Sequence, residues 1–401
     1  MLKAAKHTSA DIKTILTEKG LDNHGALWQE RLEAITSGQV ERALAEPPGS
    51  YSLERLSALI SPAAEDYLEE MAQSAHELTV QRFGRTIRLY APLYLSNYCT
   101  NACMYCGFNR ENTFERTRLS IEQAVEEANI VAAEGFRELL LVSSEDRQFI
   151  GVDYLAELAQ KLRDKFSSIS IEIYQMSTAE YARLFEAGID GVTLYQETYD
   201  RHAYGYYHLA GPKSDYDRRL SAADGIAAAG MREVGLGVLL GLTGWRVETL
   251  ALAEHAHHII KRYWQSHVSF SFPRLRPAYK VREAQFSAFT DRNLVQMITA
   301  LRLCFADVGF VLSTRERAAL RDNLIALGIT KLSAGSRTSP GGYSGRTEAT
   351  GQFEIDDNRS PAQVVAMIRE HGFEPVWKDW DKAFQDPGGQ TQDTRHKTQD
   401  L

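Results

Sequence analysis

Leu89-Tyr90-Ala91-Pro92-Leu93-Tyr94-Leu95 is an apolar run of strand length, and it leads into Cys99-Thr100-Asn101-Ala102-Cys103-Met104-Tyr105-Cys106. Three thiols this close, in a stretch that also holds Asn97, Asn101 and Gly107, cannot usefully pair with one another. They read as a loop wrapping Cys99, Cys103 and Cys106 around one metal centre. An ordinary iron–sulfur cluster takes four thiolates. The remaining cysteine, Cys304, lies far along the chain in the helical pattern Leu301-Arg302-Leu303-Cys304-Phe305 and reads as a buried core thiol. A triad without a fourth thiolate leaves one iron open, and an open position separates a metal site that does chemistry from one that only holds a fold. The competing reading is a three-thiolate zinc site completed by a histidine, although the nearest histidines are His76 and His202.

Moving outward, strand-like runs recur at 89–95, 138–142, 170–174, 191–195, 233–240, 268–272, 310–312 and 330–332. Amphipathic helical patterns fill the intervals, at 121–134, 154–165, 178–186, 221–229, 246–263 and 291–305. Strand alternating with helix eight times over about 250 residues is the pattern and size of a (β/α)8 barrel. Gly135, Gly188, Gly230 and Gly309 each fall between a helix and the next strand, where a left-handed stop is expected. The expected organisation is an α/β fold: an N-terminal helical extension over 1–85, the barrel over 86–339, a C-terminal segment over 340–384 packed on the barrel as a cap, and a disordered polar tail over 385–401.

In such barrels the active site is built where strands end at the C-terminal face. The cysteine loop follows the first strand. Ser143-Ser144-Glu145-Asp146 follows the second, Gln175 the third, Gln196-Glu197-Thr198 the fourth, and Arg274 and Arg276 the sixth. Ser313-Thr314-Arg315-Glu316 follows the seventh, and Ser333 and Ser336 the eighth. Gly235-Leu236-Gly237-Val238-Leu239-Leu240-Gly241 lacks the G-x-G-x-x-G spacing of a dinucleotide loop and reads as a strand with close backbone approach. Glu254-His255-Ala256-His257-His258 reads as a surface histidine cluster on an outer helix.

The 401 residues are 44% hydrophobic and 24% charged, ordinary for a soluble globular protein. No apolar run is long enough to span a membrane, and the N-terminus lacks the apolar stretch of a secretory signal. Few cysteines, three of them ligand-like, fit a reducing compartment, so the expected location is cytoplasmic. A net charge of -8, with basic runs as small and mixed as Asp217-Arg218-Arg219, argues against nucleic acid as a partner.

The Cys-x3-Cys-x2-Cys spacing with Tyr105 before the last cysteine is the signature of the radical S-adenosylmethionine (SAM) superfamily. Longer segments narrow the match: Pro92-Leu-Tyr-Leu-Ser-Asn-Tyr-Cys99, Cys106-Gly-Phe, Tyr195-Gln-Glu-Thr-Tyr199, Phe272-Pro-Arg-Leu-Arg-Pro277, Leu312-Ser-Thr-Arg-Glu316, Pro340-Gly-Gly-Tyr343 and Pro375-Val-Trp-Lys-Asp-Trp380. Over roughly residues 50–384 the chain resembles the 2-iminoacetate synthases, the tyrosine lyases of bacterial thiamine biosynthesis. The resemblance implies a radical SAM barrel holding a 4Fe-4S cluster whose open iron chelates SAM. It implies reductive cleavage of SAM to a 5'-deoxyadenosyl radical, and scission of the Cα–Cβ bond of L-tyrosine to 2-iminoacetate and p-cresol. It further implies an external electron donor and thiazole synthase as the protein partner. By residue type and position Ser144, Glu145 and Glu197 suit the amino and ribose groups of SAM, and Tyr105 is taken with them; on the resemblance Glu197 and Arg219 meet SAM, and Arg315, helped by Ser333 or Ser336, meets the tyrosine carboxylate. The related lyase of hydrogenase maturation carries a second cysteine cluster in a C-terminal extension, and no cysteine follows Cys304 here. A tryptophan lyase, and a non-catalytic iron–sulfur electron carrier, are the alternatives.

Overall fold

Eight parallel strands close on themselves. They are β1 (Thr86–Ser96), β2 (Glu138–Ser143), β3 (Ser168–Glu172), β4 (Gly191–Thr193), β5 (Glu233–Gly237), β6 (His267–Ser271), β7 (Gly309–Leu312) and β8 (Lys331–Ser333), with β1 pairing both β2 and β8. The computed structural model describes residues 10–23, 26–281, 287–346 and 349–379. The tail read as disordered, and Trp380, lie outside them.

Alternation along each strand divides two cores. In β3, Ile169 and Ile171 are fully buried against the helical layer, while Ser170 and Glu172 face the barrel interior and its cavities. The pairing of β1 with β2 slips between Tyr94 and Ser96, a bulge that turns the end of β1 out of the ladder and into the cysteine loop. Gly235 and Gly237 fit the reading as close-approach positions. A Cβ on Gly237 would come within 2.6 Å of the Tyr195 ring and 2.9 Å of the Ser271 carbonyl oxygen. Gly135, Gly188 and Gly230 have positive φ as expected, but Gly309 does not: it is the first residue of β7, beside the His267 ring.

At the floor of the barrel, Arg88 donates two hydrogen bonds to Glu138, at 2.9 and 2.8 Å, and Lys331 lies 2.9 Å from the same carboxylate. Glu233 stands 3.8 Å from both cations. Burial opposes ionisation of Glu138, but Lys331 and Arg88 outweigh it and hold the carboxyl below its ordinary range; Glu233 is held down by the same pair.

Helices Ile12–Lys19, Leu53–Ile60 and Leu68–Phe83 pack over the barrel helices Trp245–Arg262 and Asp291–Cys304. That cover corrects the reading of the histidine run as a surface cluster. His255 and His258 are buried beneath the extension, with His255 Nδ1 2.8 Å from the Tyr199 hydroxyl and His258 Nε2 2.9 Å from Asp224. Cys304 is a fully buried core thiol, as read.

After β8 the chain crosses the mouth of the barrel, forms helix Pro361–Glu370 behind the N-cap Ser360, and adds β9 (Glu374–Val376) to β1. Because β9 pairs with Thr86, Ile87 and Arg88, it lies at the floor, far from the strand ends, with Trp377 against Gly135 and Phe136.

Candidate active site

The cysteine loop is folded from within. Arg116 donates to the carbonyls of Phe108, Asn109 and Asn112 at 2.8, 2.7 and 3.1 Å, and also to that of Asn97. One guanidinium thus satisfies four carbonyls that a tight loop would otherwise leave exposed. Asp146 accepts from Arg118 at 2.7 and 2.8 Å and from the Ser96 hydroxyl at 2.7 Å, tying the root of the loop to the end of β2. A second segment grips the far side: Ala102 donates to Ala210 O at 2.9 Å and Met104 to Tyr207 O at 3.0 Å. There Lys213 N donates to Asn101 Oδ1 at 3.0 Å. From the C-terminal segment, Gly107 N donates to Gln352 O at 3.3 Å, and Gln352 Nε2 lies 3.9 Å from Cys106 Sγ.

All three cysteines line a cavity of about 120 Å³ at the mouth of the barrel. Burial raises each thiol above its ordinary range, so ionisation needs a cationic partner, which cluster iron supplies. Among the described residues no three His, Cys, Asp or Glu side chains are gathered as a single ion requires. The triad lines a cavity instead, which suits a cluster whose separate irons each take one thiolate, and the histidine beside Cys103, His208, has both ring nitrogens engaged by the Tyr204 carbonyl and the Tyr105 hydroxyl.

The same cavity brings together every residue assigned to SAM: Tyr105, Ser144, Glu145, Glu197 and Arg219. Tyr105 is fixed from behind. His208 Nδ1 lies 2.8 Å from the Tyr204 carbonyl, which can only accept, so the proton sits on Nδ1 and Nε2 accepts from the Tyr105 hydroxyl at 2.7 Å. Burial, helped by Lys213, pushes the His208 pKa down to about 3 and keeps the ring neutral. Glu145 accepts from Asn101 Nδ2 at 3.1 Å. The Ser144 hydroxyl is spent on the main-chain carbonyls of Ser96 and Tyr98, so it braces the loop as well as lining the cavity.

Glu197 has a φ of +72°, in the left-handed region that a side chain rarely adopts. Its carboxylate accepts from Lys213 Nζ and stands 3.8 Å from Arg219, whose Nε is anchored on Tyr195 O at 2.9 Å. Burial works against ionisation of Glu197, yet the two cations prevail and hold the carboxyl below its usual range.

Arg315 lines this cavity and a deeper one of about 50 Å³ that it shares with Ser333 and Ser336. Its guanidinium carbon lies 3.4 Å from the centre of the Phe353 ring and Nη1 donates to Arg274 O at 3.3 Å; among the described residues no carboxylate pairs with it. Its neighbour Glu316 is spent on Arg274, a structural pair. The Ser333 hydroxyl accepts from Thr314 N at 3.1 Å and so shapes the turn that aims Arg315. Among the described residues the buried Ser336 hydroxyl has no hydrogen-bond partner.

Sequence reasoning missed Asn101, Lys213, Gln352, Phe353 and, above all, Glu172, which lines the mouth cavity and both cavities beneath it. Glu172 was legible in principle, since a carboxylate alternating with Ser170 on an otherwise apolar strand must point inward. Lys213 follows a Gly-Pro pair that marks a turn, but nothing local shows what the turn packs against.

A closed (β/α)8 barrel whose first strand delivers a Cys-x3-Cys-x2-Cys loop into its mouth, beside an aromatic ring and buried carboxylates, defines a radical SAM enzyme. Residues 93–257 match the Radical SAM superfamily and residues 271–374 the Biotin and Thiamin Synthesis associated domain. The chain is 43% identical over 352 residues to the 2-iminoacetate synthase of Escherichia coli (strain K12), which covers 88% of this chain and 93% of that one. It is 44% identical, with the same coverage, to the 2-iminoacetate synthase of Salmonella typhimurium. Among solved structures, the FeFe-hydrogenase maturase HydG from Carboxydothermus hydrogenoformans superposes with a TM-score of 0.81 at 31% identity, over 92% of this chain and 86% of that one. The chain belongs to the 2-iminoacetate synthase family.

Proposed function

We propose that this chain is the radical SAM lyase that cleaves the Cα–Cβ bond of L-tyrosine to 2-iminoacetate and p-cresol, for the thiazole moiety of thiamine. The observation that carries the reading is the identity to two 2-iminoacetate synthases over nearly their whole length, on a barrel whose mouth holds the cysteine triad and an arginine that no carboxylate among the described residues pairs with.

Cys99, Cys103 and Cys106 hold the 4Fe-4S cluster. Bound there, the cluster would supply the electron for reductive cleavage of SAM. Tyr105, held by His208, offers an aromatic face and a hydroxyl beside the triad; Glu145 and Glu197 offer carboxylates to the amino and ribose groups of SAM, and Arg219 keeps Glu197 ionised. Arg315, stacked on Phe353, takes the tyrosine carboxylate, with Ser336 as an unspent donor and Ser333 as a brace. Gln352 and Phe353 lie across the mouth and help to exclude water from a product that hydrolyses readily.

An external electron donor, transfer of the product to thiazole synthase and a cytoplasmic setting complete the proposal. No helix among the described residues is long and apolar enough to cross a membrane. We take 1–85, 86–339 and 340–384 as extension, barrel and cap.

The test supplies L-tyrosine and L-tryptophan separately to the anaerobically reconstituted enzyme with SAM and a strong reductant, and identifies the aromatic product. p-Cresol from tyrosine is the expected result. Cleavage of tryptophan alone would replace the proposal with the tryptophan-lyase reading.

A further inference from the structure

Glu172 ends β3 and Arg315 follows β7, so in a ring of eight strands the two rise from opposite walls. Both line the mouth cavity and the deeper one beneath it. They attract each other, yet no ion pair joins them, and among the described residues neither has a partner of opposite charge in contact. The floor carboxylates differ, because Arg88 and Lys331 neutralise both Glu138 and Glu233. Among the described residues Glu172 accepts one hydrogen bond, from the Tyr195 hydroxyl at 3.3 Å.

A cation and a carboxyl group that face each other across a cavity without touching leave room for a molecule that carries both charges side by side. An α-amino acid is such a molecule, since its ammonium and carboxylate share one carbon. We propose that Glu172 holds the α-ammonium group of the substrate and accepts a proton from it, opposite Arg315 on the α-carboxylate. The inference rests on the amino-acid lyase reading above. The step moves one proton and no electrons: R–NH3+ and the Glu172 carboxylate become R–NH2 and the carboxylic acid. It prepares a nitrogen that ends as an imine.

The surroundings fit a group that exchanges protons near neutrality. Burial raises the Glu172 carboxyl, Arg315 draws it back and Glu197 adds to the rise, leaving it at about 7. The charged and titratable groups that face it are Tyr90 and Tyr94 from β1, Tyr195 and Glu197 at and after the end of β4, Lys213, and Arg315.

The test uses the reconstituted holoenzyme with SAM and without reductant. It measures binding of L-tyrosine, of L-phenylalanine, which lacks the phenol hydroxyl, and of 3-(4-hydroxyphenyl)propionate, which lacks the amino group. Glu172→Gln is expected to weaken tyrosine and phenylalanine alike by ~10-fold and to leave the propionate unchanged. With reductant, the rate of p-cresol formation in the wild type is expected to titrate near neutrality, and that limb is lost in Glu172→Gln. Tyr195→Phe is expected to shift the limb and preserve the preference for an amino group. Equal weakening of all three ligands, weakening of the two phenols alone, or an unaltered pH profile would overturn the proposal. Failure of the wild type to bind tyrosine would instead overturn the lyase reading, and the clamp with it.

Discussion

Lys213 and Asn101 are joined by a hydrogen bond from main-chain N–H to side-chain carbonyl at 3.0 Å, which seats the Gly211–Lys213 turn on the cysteine loop. Gly211 has a φ of +96°, and a Cβ there would collide with the Asn101 side chain and lie 2.7 Å from Thr100 O. Gly211→Ala is therefore expected to push the turn off the loop. Iron and sulfide bound per chain after reconstitution should fall well below wild type, with far-ultraviolet circular dichroism unchanged. Full loading would show that the turn does not shape the site.

Lys213 also keeps Glu197 ionised, so Lys213→Met removes the nearer of two cations from a buried carboxylate. Loss of a charge-assisted hydrogen bond costs about 1.5–3 kcal/mol, so SAM affinity should fall by roughly 10- to 100-fold. Binding should also weaken at a higher pH than in wild type as acid is added, because Glu197 protonates more readily. Unchanged SAM binding between pH 5 and 8 would remove Glu197 from the SAM site.

Arg315→Ala is expected to weaken tyrosine by about 1.5–3 kcal/mol. Phe353→Ala, which removes only the stacking surface, should weaken it by about 0.5–2 kcal/mol. Equilibrium binding with SAM present measures both. A larger loss in Phe353→Ala than in Arg315→Ala would contradict their order.

The floor network predicts sensitivity to acid. Glu138 and Glu233 are held below the ordinary carboxylate range in the fold. Their stabilisation is therefore complete above the unfolded-state pKa and is lost as pH falls from there towards the folded-state values. Glu138→Ala should cost about 3–5 kcal/mol at neutral pH, since it leaves Arg88 and Lys331 with only Glu233 at 3.8 Å and, for Arg88, the more exposed Asp379 at 3.3 Å. Urea unfolding of wild type and variant at pH 7 and pH 4 measures this, and the gap should narrow at the lower pH.

The barrel was legible because it is written in local periods. Each strand is a short run that is apolar or alternates, each helix an amphipathic one, and Gly135, Gly188 and Gly230 mark the turns between them. β9 was not, because Glu374-Pro375-Val376 is three residues long, contains a proline and is ordered by the start of β1 and by helix Pro361–Glu370. The histidine run was misread for a related reason: a helix that is outermost in a bare barrel becomes buried when an extension covers it, and local sequence does not say where an extension docks. In the site most residues at strand ends were found, Glu172 at the end of β3 excepted, while several that arrive from elsewhere were missed. Lys213, Gln352 and Phe353 reach the mouth from segments whose position is set by contacts distant in sequence, such as Gly107 against Gln352.

The central claim is that the triad at the mouth drives radical cleavage of tyrosine. The most direct test quantifies 5'-deoxyadenosine and p-cresol together, anaerobically, with SAM, reductant and L-tyrosine, in the wild type and in Cys103→Ala. The account predicts both products in step in the wild type and neither in the variant. Deoxyadenosine without p-cresol, or neither product from an enzyme with a verified cluster, would contradict it.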